Sequence, residues 1–157
     1  MGKKADNPGV FVPPPTFFIG VYCLGYLLQR WFPIKETFFD YSIVKIIGII
    51  LCIIAMVFGT LALLKFLVTK NTVVTHWPAN SLQTSGIYSV SRNPMYFGLL
   101  LFYMGFTFFT GSWWNVILLP LPIILVQLLV IRKEEEYLER KFGKAYLDYK
   151  GKVRRWI

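Results

Sequence analysis

Between Asn93 and Ile131 the chain reads NPMYFGLLLFYMGFTFFTGSWWNVILLPLPIILVQLLVI, without one Asp, Glu, Lys, Arg or His. A helix needs about 20 apolar residues to cross hydrocarbon, so this run is too long for one crossing and suits two. Thr110-Gly111-Ser112 interrupts it and predicts a tight hairpin, which puts Trp113 and Trp114 at a membrane surface. Working outward, apolar runs give spans at about 14–30, 42–68, 94–110 and 113–132. The predicted fold class is an all-α integral membrane protein: four transmembrane helices and a C-terminal cytoplasmic amphipathic helix at about 133–150, in a single domain over 1–157.

Composition points the same way. The 157 residues are 55% hydrophobic, 18% aromatic and only 16% charged, with a mean hydropathy of +0.53, which is not the make-up of a water-soluble domain. The net charge of +9 would suit nucleic acid, yet the basic residues are not interleaved with any base-reading or stacking module, so no nucleic-acid partner is expected. Topology accounts for them instead. Lys3 and Lys4 precede the first span, Lys65, Lys70 and Arg92 join the second to the third, and nine more follow the fourth, from Arg132 to Arg155. Only Arg30 and Lys35 fall in the opposite loop, offset by Glu36 and Asp40, while Lys45 opens the second span. Positive residues are retained on the cytoplasmic side, so both termini are expected there. Pro13-Pro14-Pro15 leads into a first helix without a cleavage pattern, which is read as retained, and no lipidation motif is seen at either end.

Several chemistries are excluded. Cys23 and Cys52 both lie in apolar runs and His76 is the only histidine, which leaves no disulfide framework, zinc cluster, thiol redox pair or histidine-rich iron site. No metal is expected. No carboxylate lies deep in any span, which argues against proton-coupled multidrug transport. Pro120 and Pro122 either kink the fourth span for packing or free carbonyls that widen a cavity.

Polar side chains gather instead on one membrane face, in the loop from Thr69 to Arg92 and after Ile131. Asn93-Pro94 is a helix-start signature, with asparagine expected to cap the first amides. Arg92 and Tyr96, four apart, project to one side of this entrance, and Gly98 allows close approach of a helix or a ligand. The alternative makes Arg92 a snorkelling anchor and Tyr96 a belt aromatic. Beyond Ile131 a helix to Phe142 is followed by Gly143 and a second short helical piece; Leu138, Phe142, Ala145, Tyr146 and Tyr149 recur at helical spacing as an apolar stripe that Glu134 and Glu135 continue, while Glu136, Arg140 and Lys144 take the other face. Two carboxylates on a covered face are costly unless they bind something or enter an ion-pair network with Arg92 or Arg132, and both readings stand.

The run Ser85-Gly86-Ile87-Tyr88-Ser89-Val90-Ser91-Arg92-Asn93-Pro94-Met95-Tyr96-Phe97-Gly98, followed by Arg132-Lys133-Glu134-Glu135 and then Phe142-Gly143-Lys144-Ala145-Tyr146-Leu147-Asp148-Tyr149, resembles the isoprenylcysteine carboxyl methyltransferase family and the related phospholipid N-methyltransferases. The likeness covers about the last 85 residues, and the two blocks around a helical hairpin are specific together. It implies a membrane enzyme that takes S-adenosylmethionine from the cytosol and methylates a lipid-like or other hydrophobic small molecule reached through the bilayer. Arg92, Asn93, Pro94, Tyr96 and Gly98 match the family's Arg-His-Pro-x-Tyr-x-Gly block, and Glu134 and Glu135 match its paired glutamates. Members acting on prenylated proteins usually have histidine where this chain has Asn93, whereas many short bacterial members carry asparagine, so an inner bacterial membrane is the expected location.

The resemblance then implies roles. Arg92, Asn93, Tyr96, Gly98, Glu134 and Glu135 would bind the cofactor, with a glutamate on its ribose or ammonium and Arg92 on its carboxylate. Arg132 would hold a substrate carboxylate, and Glu135 or His76 would accept a proton if the nucleophile is an amine or thiol. Two rivals predict different ligands. A membrane reductase related through its C-terminal helices would bind a reduced nicotinamide, and a non-enzymatic scaffold would bind neither.

Overall fold

The structure, a computed structural model, describes residues 6–35, 37–71 and 77–157, so Lys3, Lys4, Glu36 and His76 lie outside the described residues. Seven α-helices and no strand occur among the described residues: α1 Pro15–Trp31, α2 Ser42–Val68, α3 Pro94–Thr110, α4 Trp113–Ile117, α5 Pro120–Val126, α6 Arg132–Phe142 and α7 Lys144–Lys152. The first three sit where the apolar runs predicted them. Among the described residues one helix, α2, is long and apolar enough to cross a membrane, and α3 is a shorter apolar helix of 17 residues.

Small residues decide how α2 and α3 meet. The buried face of α2 is Val44, Gly48, Ala55 and Ala62, the last three at intervals of seven, while its isoleucines and leucines face outward. On α3, Gly98 and Gly105 keep the same interval. A Cβ on Gly105 would stand 2.6 Å from the Gly48 carbonyl oxygen and 2.9 Å from the Cys52 amide, and one on Gly98 would stand 3.1 Å from the Ala55 carbonyl. Backbone therefore packs on backbone, and the pairing of Gly105 with Gly48 and Gly98 with Ala55 makes the two helices antiparallel.

The predicted hairpin is present. Gly111 closes α3 in the left-handed region at φ 72°, its amide on the Thr107 carbonyl at 2.9 Å, and the Ser112 side chain caps α4 through the Asn115 amide. Asn115 is fully buried against α1 and α3: Tyr103 donates its hydroxyl to the Asn115 carbonyl at 3.0 Å, and Gly25 leaves room for the Asn115 side chain.

The expected single span at 113–132 is instead built in pieces. Pro120 has no amide to donate, and the chain shifts to tighter bonds at Leu119 to Val116 and Leu121 to Leu118, which separates α4 from α5. A π-helical turn, Gln127–Ile131, then joins α5 to α6. The tail has the two helical pieces expected on either side of Gly143, α6 and α7, with Gly143 turning at φ 53° between them. Ala145 of the expected stripe is exposed as a result, while Tyr146 and Tyr149 are buried.

Candidate functional site at the α3 and α6 junction

A cavity of about 670 Å³ opens where the start of α3, the middle of α2, α6 and the N-terminal segment converge, within the size range of small-molecule sites. It has two kinds of wall. Arg92, Asn93, Tyr96, Glu134 and Glu135 form a polar end, whereas Ala55, Met56, Gly59, Leu99 and Phe102 line an apolar flank along α2 and α3. Proline-rich residues Pro8 to Pro15 close one side, held by the buried Val10 and by Asp6, which receives Lys141 at 2.9 Å and the Tyr137 hydroxyl at 3.0 Å. These two donors hold the Asp6 carboxyl below its usual range.

The two glutamates have unlike surroundings. Glu135 is buried and accepts from two guanidiniums: Arg155 Nε at 2.9 Å and Nη2 at 2.7 Å, and Arg92 Nη1 at 3.2 Å. Glu134 accepts the Tyr96 hydroxyl at 2.8 Å. Burial, with a smaller contribution from the Glu135 charge, pushes the Glu134 carboxyl up to about 7, although the Tyr96 hydrogen bond opposes the rise. Arg92 also reaches the Tyr146 hydroxyl at 3.4 Å, yet its buried Nε has no partner among the described residues. Burial raises the Tyr146 hydroxyl to about 12 and pushes Tyr88 and Tyr149 higher still, so all three stay neutral walls; Tyr149 donates to the Tyr88 carbonyl at 2.6 Å.

Of the eight residues given roles from the sequence, six line this cavity: Arg92, Asn93, Tyr96, Gly98, Glu134 and Glu135. Arg132 does not. It is exposed on the outer face of α6 with Lys133, Glu136, Glu139 and Arg140, turned away from the site by the helix phase, so nothing places a substrate carboxylate on it. Asn93 is at the helix start but caps no amide; it donates Nδ2 to the Arg155 carbonyl at 2.9 Å. Gly98 touches the cavity and also lets α2 approach. Glu135 is at the polar end, but guanidinium donors already engage both of its oxygens, which makes it a poorer fit than Glu134 to the suggested proton-acceptor role. His76, the other suggested acceptor, lies outside the described residues.

Sequence reasoning missed Arg155 and Tyr137. No periodic pattern reaches Arg155, which follows the last helix, and Tyr137 was obscured by the stronger stripe beginning at Leu138. Tyr137 is buried and ties three segments together, accepting from the Ala79 amide at 3.0 Å while donating to Asp6.

A helical chain with an apolar outer surface and a cavity polar at one end defines a class of proteins that handle a partly polar, partly greasy ligand. Residues 43–145 match the phospholipid methyltransferase family, which also takes in the isoprenylcysteine methyltransferases, and the chain belongs to that family. It is also 42% identical over 66 residues to an uncharacterized protein of Haemophilus influenzae, a stretch that is 40% of this chain and 100% of that relative. No solved structure matches.

Proposed function

We propose that the chain is an integral membrane methyltransferase that crosses the bilayer four times, binds S-adenosylmethionine at the cytosolic end and methylates a lipid-like or hydrophobic acceptor. The observation that carries this reading is the two-sided cavity, in which a carboxyl, an unpartnered guanidinium nitrogen and a tyrosine meet an apolar flank on α2 and α3. The donor set suits the cofactor. Glu134 answers its positive charge, and Arg92 Nε is free to meet its carboxylate. The outward isoleucines and leucines of α2 and the exposed Phe102, Phe106 and Leu128 suit lipid rather than water.

The cofactor supplies a methyl group on a sulfonium, which makes the transfer a displacement that needs alignment and a dry pocket. The chain's own contributions follow from the geometry. The Tyr96 hydroxyl fixes the Glu134 carboxyl, and Tyr88, Tyr146 and Tyr149 exclude water around Arg92. An acceptor that must lose a proton, such as the amine of a phospholipid headgroup, is favoured by one observation: Glu134 titrates near neutrality, where a proton acceptor works best. A carboxylate acceptor, as in isoprenylcysteine, needs no such group.

S-adenosylhomocysteine binding to the detergent-purified protein, followed by calorimetry with reduced nicotinamide phosphate in a parallel titration, tests the reading. Saturable binding of the first is expected, weakened about tenfold or more in Glu134→Gln or Tyr96→Phe, the scale of one charged hydrogen bond. Nicotinamide binding alone would make the protein a reductase. Binding of neither ligand would leave a scaffold.

A further inference from the structure

After α7 the chain leaves the helix through an extended Val153, and the non-helical tail to Ile157 folds back onto the site. The Arg154 carbonyl accepts the Arg92 amide at 3.0 Å; the Arg155 carbonyl accepts Asn93 Nδ2 at 2.9 Å and the Ser91 hydroxyl at 3.4 Å. Trp156 anchors this tail, packing on the core and donating to Gln127 of the π turn at 3.4 Å. The Arg155 side chain meanwhile grips Glu135 through two donors. One residue thus ties the start of α3 by its backbone and the start of α6 by its side chain, although it lies beyond the stretch matched to the family.

Two guanidiniums share one carboxylate here, and they do so unequally. Arg155 takes both Glu135 oxygens at 2.9 and 2.7 Å, in the fork geometry that fixes a carboxylate plane, and leaves Arg92 a single, longer contact at 3.2 Å. Arg155 is behind the cavity and a third exposed, whereas Arg92 lines it. We infer that Arg155 is a positioning residue: by saturating Glu135 from behind, it keeps Arg92 from collapsing onto that carboxylate and leaves its guanidinium turned to the cavity, ready for a ligand's carboxylate. Without Arg155, Glu135 has Arg92 as its nearest cation, and the Arg92 guanidinium closes onto both carboxylate oxygens instead of presenting its donors to a ligand.

The inference rests on the cofactor site proposed above, and the test separates the two. S-adenosylhomocysteine and 5′-methylthioadenosine, which keeps the adenosine and sulfur but lacks the carboxylate and ammonium, are titrated into wild type, Arg155→Gln and Arg155→Lys. Arg155→Gln is expected to lose about tenfold or more for S-adenosylhomocysteine and to stay within about twofold for methylthioadenosine, with Arg155→Lys in between. In a Glu135→Gln background the Arg155→Gln effect should vanish, because the carboxylate it manages is gone. Unchanged S-adenosylhomocysteine affinity in a folded Arg155→Gln protein, equal losses for both ligands, or the same loss in the Glu135→Gln background would each overturn the inference. Arg155→Lys retains the charge and carries the test if Arg155→Gln fails to fold. Wild-type protein that binds no S-adenosylhomocysteine would instead overturn the proposed function, and the role of Arg155 with it.

Discussion

Glu134 and Glu135 are neighbours with identical side chains, and the protein gives them opposite tasks. Glu135 is met by both Arg92 and Arg155 and ties elements together; among the described residues Glu134 has the Tyr96 hydroxyl alone, which under the proposed function leaves it for a cation. The raised position of Glu134, about 7, makes ligand binding depend on pH with a definite sign. A cationic ligand prefers the ionised carboxylate, so binding it must expel the proton that Glu134 holds below about pH 7. Affinity for S-adenosylmethionine is expected to rise about tenfold per pH unit on the acidic side and to level off above that point. Isotherms between about pH 5.5 and 8.5 read this directly, and buffers of different ionisation enthalpy count the proton released. Glu134→Gln should flatten the profile; an undiminished slope in that variant would assign the titration to another group. Sequence alone could not divide the pair, because the division comes from Arg155, twenty positions away and in no periodic relation to α6.

At the scale of elements, the contact between α2 and α3 depends on glycines whose Cβ positions are occupied by the facing backbone. Gly105→Ala places a methyl group 2.6 Å from the Gly48 carbonyl oxygen, and carbonyl oxygens cannot rotate aside as side chains do. The gain in helix propensity, about 1 kcal/mol, is outweighed by overpacking of about 1–3 kcal/mol or more. Gly20→Ala in α1 is the matched control, since nothing lies within 4 Å of its Cβ position. Thermal unfolding in detergent should show Gly105→Ala lowered and Gly20→Ala unchanged or raised; equal midpoints would mean that the helices separate without cost. The helices themselves were legible because apolar runs end at strong signals: Pro15 at α1, Pro94 at α3, Gly111 at the hairpin, Gly143 between α6 and α7. The π turn at Gln127–Ile131 was not legible. Its residues have the same apolar character as those before it, and Val130 and Ile131 are buried in the core with Trp156 packed against it, a tertiary arrangement that leaves no local signal.

For the whole molecule, the contacts sort the chain into two ends. Asp6 meets Lys141, Arg92 meets the tail at Arg154, and the Ala79 amide meets Tyr137, so the N-terminal segment, the loop before α3 and everything after Ile131 share the cavity end. At the other end Trp114 donates its indole N–H to the Phe32 carbonyl at 2.7 Å, and Phe39 packs on Trp113 and against Gly111. Four helical passes connect them alternately: α1, α2, α3 and the pieced run from Trp113 to Ile131. The charge distribution then predicts which end faces the cytosol, because Lys65, Lys70, Arg92 and the basic residues of α6 and α7 are all at the cavity end, against Arg30, Lys35 and Lys45 at the other. Single cysteines introduced at Ser85 and Arg140 should resist a membrane-impermeant thiol reagent in intact cells and react after permeabilisation, while one at Lys35 should react from outside at once. Both native cysteines, Cys23 and Cys52, are replaced by serine in these proteins so that labelling reports the new site alone. Labelling at Ser85 and Lys35 from the same side would rule out the alternating passage of the chain across a bilayer. The reverse pattern would keep the four passes and invert them, moving the site to the face where no cytosolic cofactor can reach it.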